Sequence, residues 1–147
     1  MKIGITGSLA SGKTTASKIL SFKRGPLFSA DKVVKELYKN NRFKILIKKK
    51  FKIDNNKIKK TLKEIILRDK KNIKKLEMII HPLVRKKMNN FTSKNKNKKN
   101  LFYEIPLLVE SNLMGKFDVI LFIKAKKKLR LKRFKLKGGD EKLFTFL

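Results

Sequence analysis

The chain has 147 residues, no cysteine, one histidine and a formal net charge of +30. That length allows one domain with a core that needs no staple, and the lack of cysteine excludes disulfides and thiolate metal sites. No apolar run approaches the roughly 18–20 residues of a membrane span and no signal-peptide pattern opens the chain, so a soluble cytoplasmic protein without a membrane partner is expected.

"KIGIT" (Lys2–Thr6) is a predicted short buried strand. A glycine-containing loop follows, then a helix from about Gly12 to Ser21, where Ala16, Ile19 and Leu20 recur at helical spacing. After a turn at Gly25-Pro26, "PLFSAD" predicts a second strand ending on Asp31, and Val33, Val34, Leu37 and Tyr38 continue as an amphipathic helix. From Arg42 to about Phe91 the pattern is helical throughout, with Ile73, Leu76, Ile80, Leu83 and Val84 on an apolar face. Pro82 within it would start a new helix or kink the old one. Thr92–Asn100 is a polar loop. Leu101–Glu110 gives a third strand, ended by Pro106, and Phe117–Ala125 a fourth. A very basic helix then meets a break at Gly138-Gly139.

Strands alternating with helices predict an α/β fold with a parallel sheet of about four strands covered on both faces. The expected organisation is a single domain: residues 1–40 and 100–125 form a nucleotide-binding core, 41–99 a helical lobe and 126–147 part of a lid.

The loop carries the first chemistry. Gly7-Ser-Leu-Ala-Ser-Gly12-Lys13-Thr14 matches G-x-x-x-x-G-K-[ST] at every fixed position. The glycines permit backbone conformations closed to other residues, and consecutive N–H groups join the positive end of the following helix. Lys13 can reach β- and γ-phosphates, and the Thr14 hydroxyl can ligate Mg²⁺. Contacts to ATP are expected from Gly7, Ala10, Ser11, Gly12, Lys13, Thr14 and Thr15. A Gly-containing turn before an ordinary helix is the bland alternative. The loop does not name the acceptor.

Asp31 is expected beside the loop, where it either accepts a hydroxyl proton or caps the next helix. His81 near an apolar face is usually structural, yet Arg85 lies one turn on, and together they could grip an anionic substrate. Glu104 and Glu110 bracket the third strand and its turn. Glu104 suits a magnesium-bound water or a structural role equally well.

The charge invites a nucleic-acid reading. However, only Arg24, Arg42, Arg68, Arg85, Arg130 and Arg133 among the 41 basic residues are arginine, the residue of bidentate phosphate and base contacts. The lysines run along the whole chain beside Asn, Ile and Phe, the set an AT-rich genome favours. No specific nucleic-acid partner is expected.

"TGSLASGKTT", "SADKVVKELY", "HPLVR", "YEIPLLVES" and "RFKLKGG" stand in the order and spacing of dephospho-coenzyme A kinases, and the chain resembles that family throughout. The resemblance implies a P-loop kinase-type sheet with an inserted acceptor lobe, and the partners ATP and dephospho-coenzyme A. It implies transfer of the γ-phosphate of ATP to the ribose 3′-hydroxyl of the acceptor. Asp31 matches the second aspartate of an Asp-x-Asp pair, the candidate base. His81, Pro82 and Arg85 match the acceptor-lobe signature, Glu110 is also expected to bind the acceptor, and Arg133 matches a lid arginine.

The sequence departs from the family where Ser29 replaces the first aspartate and Lys137 a second lid arginine. Family members also run on through the rest of the lid and a last edge strand. Truncation is therefore expected, with Val119, Leu121 and Ile123 on an open edge, slow turnover and self-association. Another nucleotide or small-molecule kinase, a basic nucleic-acid-binding protein and an inactive copy remain the rival readings.

Overall fold

β1 (Lys2–Gly7) carries apolar or small residues on both faces, and all but its first residue are buried. A strand of that kind belongs inside a parallel sheet covered on both sides. The structure, a computed structural model, describes residues 1–106, 108 and 112–146. It places β1 in a four-stranded sheet of order β2-β3-β1-β4, with β2 (Leu27–Ser29), β3 (Leu101–Glu104) and β4 (Val119–Ile123). All pairings are parallel. Ile5 and Ser29 both lie opposite Glu104, and Gly7 lies opposite Ile123. This register gathers the carboxyl ends of the strands at one end of the sheet, where open α/β sheets hold ligands.

The helices are α1 (Lys13–Ser21), α2 (Ala30–Leu37), α3 (Asn41–Phe51), α4 (Ile58–Arg68), α5 (Lys71–Lys94), α6 (Lys127–Leu136) and α7 (Glu141–Phe146). Among the described residues no helix is long and apolar enough to cross a membrane. The chain divides into two compact units, one of residues Met1–Asp31 with Phe91–Leu147, the other Lys32–Asn90.

In the first unit, Ile3, Ile5 and Phe102 form a buried cluster with Leu20, Leu27, Leu121 and Ile123 packed on it. The alternate residues of the strands point to the other face. There the Tyr103 ring meets Phe28, Phe91 and Phe117 at centroid distances of 6.1, 5.4 and 5.2 Å. Its hydroxyl lies 2.8 Å from that of Thr92, which satisfies the polar tip of a buried ring. β4 is an edge strand, with Val119 and Phe122 exposed.

The second unit is built on helical stripes. Phe43, Ile47 and Phe51 recur every fourth residue along α3, as do Ile58 and Leu62 on α4, so each set faces one way. With Ile53 they make a buried core on which Leu76, Ile79, Ile80 and Leu83 of α5 pack.

Three local expectations change. The long helical run is broken twice. Lys52 ends α3 in the left-handed conformation, and the Asn55 side chain accepts from the Lys57 N–H (2.9 Å) ahead of α4. The Asp69 carboxylate accepts from the Lys71 N–H (2.9 Å) at the start of α5. Side-chain oxygens here offer the backbone partners that compete with a continuing helix. Of the two places expected for Pro82 the helix start falls away: it lies in the interior of α5, the position from which a proline can kink a helix. The second strand stops at Ser29, so Asp31 does not end a strand; it occupies the first turn of α2.

Candidate active site

The phosphate loop leaves β1 at Gly7, and its conformation follows from what surrounds it. Gly7 has φ +145°, and a Cβ there would lie 2.2 Å from the Ile123 carbonyl oxygen of β4. No side chain fits that position. Ala10 also takes a positive φ of 57°, an uncommon state for a non-glycine residue and one that recurs at functional loops. Gly12, at φ 102°, precedes α1 with no side-chain cap. The first N–H groups of that helix therefore face the loop.

Lys13 folds back over the loop and donates from Nζ to the carbonyls of Gly7 (2.8 Å) and Ser8 (3.0 Å). Burial holds its pKa below the ordinary 10.5; Asp31 and Glu104 oppose that shift, and Arg130 adds to it. Electrostatic coupling to Asp31 and Glu104 sets both carboxylates in the field of this ammonium. The Thr14 hydroxyl donates to Oε1 of Glu104 at 2.5 Å, and Glu104 is buried at the end of β3. Thr15 is exposed at the start of α1. Ser11 is buried, and among the described residues its Oγ has no hydrogen-bond partner. A buried hydroxyl of that kind calls for an explanation, and a ligand in the loop supplies one.

α6 also reaches the loop. Arg133 donates from Nη1 to the Ser11 carbonyl (3.2 Å), and Arg130 donates from Nη1 to that of Leu9 (3.4 Å). The first unit thus brings together Gly7, Ala10, Ser11, Gly12, Lys13, Thr14, Glu104 and Arg133. Asp31, an exposed residue, is linked to them through Lys13. Asp31 lies in the first turn of α2, where a carboxylate also suits the positive end of the helix.

His81 and Arg85 belong to the second unit, one turn apart on α5, with His81 half-buried and Arg85 exposed. Glu110 lies outside the described residues. Arg130 is absent from the sequence-based set, although its three-residue spacing from Arg133 on a basic helix was the available signal.

The site so described gathers a glycine-bearing loop at the start of a helix, a half-buried lysine, a threonine–carboxylate pair and two guanidiniums. Residues 1–141 match the family described as Dephospho-CoA kinase (CoaE). A dephospho-CoA kinase of Bartonella quintana (strain Toulouse) is 34% identical over 151 residues, covering 99% of this chain and 77% of that protein. A crystal structure of a Thermus thermophilus protein superposes with a TM-score of 0.80 at 25% identity, over 99% of this chain and 77% of that one. A dephospho-CoA kinase from Campylobacter jejuni gives 0.58 at 26% identity, over 99% and 76%. The chain belongs to the dephospho-CoA kinase family, a family of ATP-using transferases.

Proposed function

We propose that the loop and its surrounding side chains transfer the γ-phosphoryl group of ATP to the ribose 3′-hydroxyl of dephospho-coenzyme A, giving coenzyme A and ADP. This is the last step of coenzyme A synthesis. The observation that carries the reading is the loop itself: Lys13 is tethered across its carbonyls while the buried Ser11 hydroxyl stands unpartnered among the described residues.

The acceptor oxygen forms its bond to the γ-phosphorus as the bond to the bridging oxygen of ADP breaks, and the hydroxyl proton passes to Asp31. Asp31 is the base because it is the exposed carboxylate near Lys13, whereas Glu104 is buried against Thr14. Lys13 neutralises charge on the β- and γ-phosphates, and Arg133 approaches the same oxygens from α6. Gly7, Ala10, Ser11, Gly12, Thr14 and Thr15 cradle the phosphates.

A hydroxyl and a carboxylate are the oxygen donors that Mg²⁺ takes alongside substrate phosphates and water, so Thr14 and Glu104 fit that ion. When bound, it offsets charge on the β- and γ-phosphate oxygens. His81, Arg85 and Glu110 recognise the acceptor, which makes the helical unit the acceptor lobe and α6–α7 part of a lid. The chain works in the cytoplasm, with no specific nucleic-acid or membrane partner.

The test is labelled-phosphate transfer from ATP to a panel of acceptors. Dephospho-coenzyme A should be labelled and nucleosides and nucleoside monophosphates should not, while Lys13→Ala abolishes transfer without loss of fold. Preferential labelling of a nucleoside would overturn the acceptor assignment.

A further inference from the structure

Three cations converge on the phosphate loop, and the roles above employ two of them. The third is Arg130. Along α6 the lysines at 127, 128, 132 and 135 are exposed, as is Arg133, whereas Arg130 is half-buried. Its guanidinium donates to the Leu9 carbonyl and lies close enough to Lys13 to help lower the pKa of that ammonium. Among the described residues no carboxylate pairs with Arg130 or Arg133. Asp31 and Glu104 answer part of the positive charge around Lys13, but a peptide carbonyl offsets only part of a guanidinium charge, so with both guanidiniums held on carbonyls the described residues leave the site net positive.

Arg130 is also supported from behind. Its guanidinium carbon lies 5.4 Å from the centroid of the Phe144 ring, a cation–π distance, and Phe144 is buried on α7. Phe144 in turn packs on Phe134 of α6 at 5.7 Å. A Cβ at Gly139 would lie 2.2 Å from the Phe134 ring, so a larger residue there would displace the ring on which Phe144 packs. Lys135 and Glu141 pair at 2.7 Å across the turn from α6 to α7. The α6–α7 hairpin thus holds one particular arginine over the loop.

We infer that Arg130 is a phosphate-contacting residue: its guanidinium exchanges the Leu9 carbonyl for phosphate oxygens of ATP, beside Arg133, which lies one turn on along α6 and is held on the Ser11 carbonyl. This rests on the proposed nucleoside triphosphate reading of the loop. The competing role is purely structural, with Arg130 serving only to pin α7 through Phe144.

Calorimetric binding of ATP and of inorganic tripolyphosphate to the full chain separates the two, using wild type, Lys13→Ala, Arg130→Gln, Arg130→Lys and Phe144→Leu. Arg130→Gln should weaken both ligands about tenfold or more, the size of one lost charge-assisted hydrogen bond, and leave the KM for dephospho-coenzyme A unchanged. Arg130→Lys should recover part of the loss, and Phe144→Leu, which keeps the guanidinium, should bind closer to wild type than Arg130→Gln. Wild-type affinity in Arg130→Gln, with binding lost in Lys13→Ala, overturns the role of Arg130 and leaves the loop reading standing. Wild-type affinity in Lys13→Ala removes the loop reading and this inference with it. If Arg130→Gln does not fold, Arg130→Lys decides: weakened binding by a folded protein supports the contact, and undiminished binding overturns it.

Discussion

The two units of the chain put their sequence to different uses. In the first, the nine residues from Gly7 to Thr15 are constrained almost atom by atom: Gly7 by the Ile123 carbonyl, Lys13 by two carbonyls, Thr14 by Glu104. In the second, Phe43, Ile47, Phe51, Ile58 and Leu62 make a core from side-chain bulk at four-residue spacing, and the outward faces are largely lysine. A core of that kind accepts exchanges that conserve volume, because burial is not directional. The loop accepts few, because donors and backbone conformation must stand where charge develops. The contrast teaches where chemical damage and stability damage can be separated.

The largest expected effect falls on the first unit. Asp31→Asn removes the proposed base and keeps the shape, so kcat should fall by about 10²–10⁴-fold with the KM for ATP nearly unchanged. Steady-state kinetics checks this. An unaltered kcat would show that Asp31 is no base, and the chemistry of the first unit would need another carboxylate.

Ile47→Ala tests the second unit. Ile47 is fully buried, and its truncation should cost about 2–5 kcal/mol of stability through lost transfer energy and the cavity left behind. Denaturant unfolding measures that loss. At a temperature where the variant is folded, the KM for ATP should stay at the wild-type value. A KM that rises in the folded variant would break the separation between the units.

Arg85→Ala sharpens the comparison at a functional position of the helical unit. It should raise the KM for dephospho-coenzyme A by about tenfold, the order of one charge-assisted contact, and that for ATP much less. Equal changes in both would assign Arg85 to packing.

The smallest effect is a pH dependence. The Lys13 pKa is lowered in the folded chain, so the alkaline fall of kcat/KM for ATP should have its midpoint below 10.5. Between the folded value and 10.5 the unfolded chain binds more protons at this residue, so stability attributable to Lys13 rises with pH there. Unfolding measured against Lys13→Met should show wild type gaining across that window. A midpoint at or above 10.5 contradicts a buried ammonium.

The α/β class is legible because β1 and β4 are short apolar runs and the loop between β1 and α1 carries a contiguous signature. The loop is legible for a deeper reason: its chemistry sits largely on the backbone, and glycines mark where the backbone must go. Arg130 is only faintly legible: its three-residue spacing from Arg133 is a signal, but nothing in the sequence says which of six arginines folding half-buries. The breaks in the helical run are hidden for a related reason. Lysine and apolar residues keep the helical pattern going on either side, while the decisive signals are single side-chain oxygens of Asn55 and Asp69. Asp31 shifts from strand end to helix because a three-residue strand gives too little alternation to fix its own boundary.

The contact of Gly7 with Ile123 joins two parts that lie far apart in the sequence. β4 ends at Ile123 and α6 begins at Lys127, so the strand backing the phosphate loop also anchors the helix that carries Arg130 and Arg133. In a machinist's terms the loop and the arginines are cut from a common datum. A displacement of β4 moves the floor of the site and the hands above it together, and their spacing is preserved where two independent mountings would let it drift.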